Sequence, residues 1–122
     1  MDDSVIINKF MESFEFRQLE NRVSKYTYEE WEAIKKQYQD IIITMLDLKE
    51  AGESPASENM QKMIDIWRTH ISEFYYVCDR ARLRSYYKLY KNETNYKRQL
   101  DELEKGFADF LADAIDFYLK NN

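Results

Sequence analysis

The chain's only cysteine, its only histidine and five of its ten tyrosines fall in one stretch, HISEFYYVCDRARLRSYYKLY, residues 70 to 90. A thiol becomes a nucleophile only as the thiolate. Two features around Cys78 favour ionisation: it stands near the start of a helix-like segment whose first amides attract an anion, and Arg82 lies one turn along on the same side. Asp79 opposes them. The residues favour a buried, inert Cys78, with nucleophilic capture of a ligand as the alternative. His70 lies at the flank of an apolar stripe, about 80° from its centre, and reads as a packed, hydrogen-bonded residue more than as a ligand. No set of His, Cys, Asp and Glu has metal-ligand spacing, and no glycine-rich phosphate loop occurs. One histidine and one cysteine make no convincing catalytic constellation, so no metal, no cofactor and no enzymatic activity are expected.

The elements that must position these residues all read as helices. Two glycines and one proline leave little turn chemistry for a multi-stranded sheet, while 34% charged residues supply polar helix faces. Thr27 followed by Glu30 has the pattern of a capping box. Trp31, Ile34, Tyr38, Ile41, Ile42, Met45 and Leu46 then recur at spacings of three and four, up to a left-handed stop at Gly52. ESPASENM reads as a loop within one domain, because periodicity resumes after a candidate cap at Ser57 with Met60, Met63, Ile64, Trp67, Ile71, Phe74 and Tyr75. The spacing predicts helices over 28–51 and 57–75, a break within 91–95, and a last helix over 105–119 lying across the middle of the domain. Residues 2–20 carry only an irregular apolar stripe, which predicts a helical segment of low protection.

At 122 residues the chain has the size of one domain with a real core. A single cysteine and the lack of a leader-like opening predict a cytoplasmic setting. The longest apolar run, Ile41 to Ile43, is far too short for a membrane span, so no membrane partner is expected. The net charge of −5 repels a phosphate backbone, and Arg80, Arg82, Arg84 and Lys88 read as a solvated helix face. With no helix-turn-helix visible from Met1 onward, this chain is not expected to bind nucleic acid directly.

Five runs together resemble the TipAS antibiotic-recognition domain, the ligand-binding half of MerR-like transcription activators: YTYEEWEAI at 26–34, LDLKEAGESPASENM at 46–60, WRTHISEFYYVC at 67–78, LYKNETNYKRQLD at 89–101 and KGFADFLADAI at 105–115. The register needs no gap from about 26 to 116. The resemblance implies an all-α, globin-like bundle of about five helices over 26–122, with residues 1–25 as a mobile lid-like segment. It also implies non-enzymatic binding of hydrophobic, peptide-like antibiotics or amphipathic drugs, as a stand-alone sequestering protein or a sensor module. Some members trap dehydroalanine-bearing thiopeptides through a cysteine, but their thiol aligns near Ser85, which favours a non-covalent site here. The chain departs from the family pattern at Tyr75-Tyr76-Val77, at Glu93-Thr94-Asn95-Tyr96, at Lys105 and at Trp67, where the family carries a histidine. The fold is expected to survive these changes and the choice of ligand to differ.

Tyr75, Tyr76, Tyr86, Tyr87 and Tyr90 cannot all enter one core, because residues 86, 87 and 90 already spread over about 100° of a helix. Rings with polar tips suit mixed-polarity ligands. The expected site is therefore a cleft bordered by Trp67, Tyr75, Arg82 and Tyr86, with His70, Ile71, Phe74 and Cys78 alongside and Phe107 and Phe110 as its floor. On that reading Trp67→Ala weakens binding and changes melting little. The alternative is a helical protein-protein adaptor that uses an exposed aromatic patch.

Overall fold

Thr27 opens the first helix, α1 (Tyr28–Glu50), with reciprocal capping: its hydroxyl accepts from the Glu30 amide at 3.1 Å, and the Glu30 carboxylate accepts from the Thr27 amide at 3.0 Å. The helix closes in a Schellman turn. There the amide of Gly52, at φ 85°, donates to the Lys49 carbonyl (3.0 Å) and the Glu53 amide to the Leu48 carbonyl (3.1 Å). Helix α2 (Glu58–Phe74) starts where the Ser57 hydroxyl accepts from the Met60 amide, and α3 (Arg80–Asn92) where the Asp79 carboxylate accepts from the Arg82 amide. Glu93 separates α3 from α4 (Thr94–Leu103), and α5 (Phe107–Asn121) follows Gly106. This computed structural model describes residues 26–122, and no strand occurs among them. The expectation of a mobile lid over 1–25 lies outside the described residues.

Helix α5 is the hub. Its inner side buries Phe107, Ala108, Phe110, Leu111, Ala112, Ala114, Ile115 and Leu119, and the small alanines let α3 lie close against it. It also packs on α4 and α2, which agrees with its expected place across the domain. Its acidic outer positions face the lysines and arginine of its neighbours: Asp109 pairs with Lys97 (3.2 Å) and Lys91 (3.5 Å), Asp113 with Lys91 (2.8 Å) and Asp116 with Arg84 (3.5 Å). Half-exposed pairs of this kind contribute about 0–1 kcal/mol each, so they fix register more than they stabilise. The face of α3 read as solvated is indeed exposed, but it is tied down. Arg80 donates to the carbonyls of Leu119 and Asn122 at the end of α5, the position where a cation answers unsatisfied helical carbonyls.

The break before α5 holds on one glycine. Gly106 adopts φ 86°, the left-handed region, and the Asp101 carboxylate accepts from the Ala108 amide at 2.9 Å. Lys49 pairs with Glu104 across the same turn at 3.0 Å.

Candidate functional site

Helices α1 and α2 pack closely on each other and α3 packs on α5, but the backbones of α2 and α3 do not approach in the same way. Large rings fill the interval between them. Trp67, 1% exposed, tilts against Tyr86 of α3 with ring centroids 5.3 Å apart, and Tyr86 stacks on Tyr90 at 5.7 Å. On its other side the Trp67 indole N–H donates to the Tyr38 hydroxyl at 3.4 Å. Tyr38 in turn meets His70 at 5.8 Å and Tyr75 at 6.4 Å, and Tyr75 meets Trp31 at 6.1 Å. A continuous chain of rings thus runs from Trp31 on α1 to Tyr90 on α3. Edge-on and tilted contacts of this kind add about 0.5–1.5 kcal/mol each beyond area burial.

The structure brings Trp67, His70, Ile71, Phe74, Tyr75 and Tyr86 into this one region, but as a closed cluster where the sequence predicted an open cleft. Trp67, Ile71, Tyr75 and Tyr86 are buried, and Phe74 is half-buried. The reason is local. Residues three and four apart on α2 share its core-facing side, so a stripe of rings is drawn inward together. Of the four expected border residues only Arg82 is exposed, its guanidinium 4.2 Å from the Tyr76 ring centroid in a cation–π contact. Phe107 and Phe110 are buried at the head of α5, stacked on each other at 6.4 Å. Among the tyrosines of the opening stretch, Tyr75, Tyr86 and Tyr90 are buried while Tyr76 and Tyr87 are half-buried against the edge of the core.

His70 is buried and packed between rings, with Phe74 at 4.9 Å and Tyr75 at 5.5 Å. The expected hydrogen bond needs correction at one atom: Nε2 has no partner among the described residues, because every ring that surrounds it offers an edge or a face. Burial lowers the imidazole pKa from 6.5 to about 4, so the ring is neutral at physiological pH.

Cys78 is buried, and its amide donates to the Ser72 hydroxyl at 3.0 Å. Burial pushes its thiol pKa up to about 11, against the opposing pull of the Arg68 and Arg82 charges. The thiolate is therefore scarce, in line with the inert reading. Iodoacetamide should label the native protein at neutral pH at least about a hundredfold more slowly than the urea-unfolded chain, as intact-mass spectra would record. Comparable rates would remove the argument from burial.

Sequence reasoning treated Tyr38 and Trp31 as ordinary core. Nothing in an apolar stripe separates a ring that fills space from one that joins a binding surface. Tyr26 opens the first run of the resemblance, but nothing in the sequence announced that its hydroxyl donates to the Phe74 carbonyl at 2.7 Å across 48 residues. The adaptor alternative needs a flat exposed aromatic patch. The exposed large apolar residues described here, Tyr28, Ile66, Val77 and Phe117, come from four separate segments. No described helix is long and apolar enough to cross a membrane, and among the described residues no group of three or more His, Cys, Asp or Glu could hold a metal ion.

Comparison with known proteins gives this arrangement its relatives. The chain is similar to the HTH-type transcriptional activator TipA of Streptomyces coelicolor, 25% identical over 100 residues that cover 82% of this chain and 40% of that protein. It is also similar to the HTH-type transcriptional activator mta of Bacillus subtilis, 24% identical over 99 residues that cover 81% of this chain and 38% of mta. The chain thus spans about two fifths of the length of the curated relatives it matches. Its fold matches that of TipAS from Streptomyces lividans, solved in complex with the thiopeptide antibiotic nosiheptide, with a TM-score of 0.72 over 98% of this chain and 87% of that one at 22% identity. The arrangement is therefore the all-α, globin-like one that the resemblance implied. The family model described as the TipAS antibiotic-recognition domain matches residues 4–118, and the chain belongs to that family.

Proposed function

We propose that this domain binds hydrophobic, peptide-like antibiotics or amphipathic drugs reversibly at the aromatic cluster between α2 and α3, without catalysing a reaction on them. It would act by sequestering the drug or as the sensor part of a MerR-like regulator. The observation that carries this reading is the contact of Trp67 with Tyr86, which joins α2 and α3 through rings where their backbones, unlike those of α1 and α2 or of α3 and α5, do not pack closely. Rings that span a gap can be replaced by ligand rings at low cost in backbone rearrangement, because the contacts exchanged are alike. Arg82, exposed, held over the Tyr76 ring and one helical turn before Tyr86 on α3, would supply a cationic donor for ligand carbonyls. A thiol with a raised pKa fits reversible binding better than covalent capture.

Titration of the full chain with nosiheptide, read by tryptophan emission, tests the reading, since Trp67 sits in the cluster. Arg82→Ala, at an exposed position, should weaken binding by about 1–3 kcal/mol while the melting temperature holds; Tyr76→Ala should weaken it by a similar amount and also lower melting, because the ring packs on the core. Unchanged emission across nosiheptide and other thiopeptides, up to their solubility limits, would sink the proposal. A stable adduct in intact-mass spectra that disappears in Cys78→Ser would replace reversible binding with capture.

A further inference from the structure

A groove of about 570 Å³ runs between α1 and α2, with Ile41, Ile66, His70 and Phe74 as its apolar wall and Asp40, Asp65 and Glu73 among its lining. No described lysine or arginine lines it. Asp40 and Asp65 have cationic neighbours along their own helices, Lys36 at 3.8 Å and Arg68 at 3.3 Å, and Asp65 also accepts from the Tyr118 hydroxyl at 2.8 Å. Both aspartates nonetheless keep more than half of their side chains in water, at 63% and 57% exposure. Ile66 is 48% exposed beside them, an apolar surface bordered by negative charge. Set in the same wall is His70, 5% exposed and unpartnered at Nε2 among the described residues. A neutral imidazole nitrogen in that state can accept a hydrogen bond that the described protein does not supply. Phe74, half-buried and lining the same groove, packs on His70 with ring centroids 4.9 Å apart.

We infer that this groove is a second ligand subsite, one that takes flat aromatic amines bearing a positive charge. The ligand ring lies along Ile41, Ile66 and Phe74, its charge faces Asp40 and Asp65, and an amine N–H donates to His70. The inference goes beyond the antibiotic-binding reading: the groove shares His70 and Phe74 with the aromatic cluster, but it is walled by α1 and α2 and its lining includes neither Trp67 nor Tyr86.

The test uses the full chain and two probes of nearly the same shape: 9-aminoacridine, a cation at neutral pH, and acridine, uncharged there. Backbone amide shifts on adding 9-aminoacridine should gather in residues 37–41 and 65–74, and the cation should bind at least about tenfold more tightly than acridine, a preference that shrinks with added salt. Asp40→Asn combined with Asp65→Asn should erase the preference while the circular dichroism spectrum stays unchanged. His70→Phe, which keeps a ring in the packing, should weaken 9-aminoacridine at least about threefold while the protein melts no earlier. Equal affinity for the two probes, shifts centred on Trp67 and Tyr86, or undiminished binding by His70→Phe would each overturn the inference. A failure to bind nosiheptide would leave it untouched.

Discussion

Trp67→Ala should lower the unfolding free energy by about 3–5 kcal/mol, the cost of deleting a large buried ring and leaving a cavity that its neighbours only partly fill. Trp67 is 1% exposed, rests on Tyr86 and donates to the Tyr38 hydroxyl, so the substitution removes packing and a buried hydrogen-bond donor together. This corrects the expectation that melting would change little, which assumed a ring at the edge of a cleft. Urea unfolding followed by circular dichroism supplies the number, and a loss below about 1 kcal/mol would show that the ring is not held in the core. Trp67→Phe separates the two contributions, since it keeps a ring and loses only the N–H donor. The practical consequence is that drug binding by Trp67 variants has to be compared at temperatures where each remains folded.

Lowering the pH from 7 should destabilise the domain through His70 alone before the carboxylates take part. The folded imidazole has its pKa lowered by burial from 6.5 to about 4, so between those values the unfolded chain takes up a proton that the native state refuses. Stability is therefore complete above about pH 6.5 and declines as the pH falls, by about 2 kcal/mol at pH 5 and about 3 kcal/mol once the folded pKa is passed. Because the chain holds a single histidine, the assignment is clean. Denaturant midpoints across this range should slope for the parent protein and run nearly level for His70→Phe down to about pH 5. Equal slopes in the two proteins would contradict a buried neutral imidazole.

Helix ends were easy to read in this chain because each rests on residues adjacent in sequence. Thr27 and Glu30 cap each other, Ser57 caps α2, and Gly52 takes the left-handed turn that its position announced. Which residues face inward was legible as well, since Ile34 to Leu46 and Met60 to Ile71 follow one helical stripe. The site was legible only as a set of residue types. Whether Trp67 lines an opening or closes a core depends on the distance between α2 and α3, which is set by how both lean on other helices. A stripe records direction and carries no record of distance. The same limit hid Arg80, whose reach to the end of α5 joins residues about forty positions apart, and the unpartnered Nε2 of His70, which depends on what three neighbouring rings lack.

The spacing of α2 from α3 has a thermodynamic consequence. The closest packing unites α1 with α2 and unites α3, α4 and α5, so the described domain is two halves that meet at α5 and across the ring-filled interval. On the binding mode proposed above, a ligand seated between α2 and α3 would touch both halves and act as a crosslink between them. It would bind only the arrangement in which the halves stand at the right separation, so its free concentration would drive that arrangement by RT ln(1 + [L]/Kd), about 2.7 kcal/mol at a hundred times Kd. Halves that breathe in the absence of drug would then move as one body in its presence, and a change in mechanical coupling of that kind can be passed to whatever the domain is joined to.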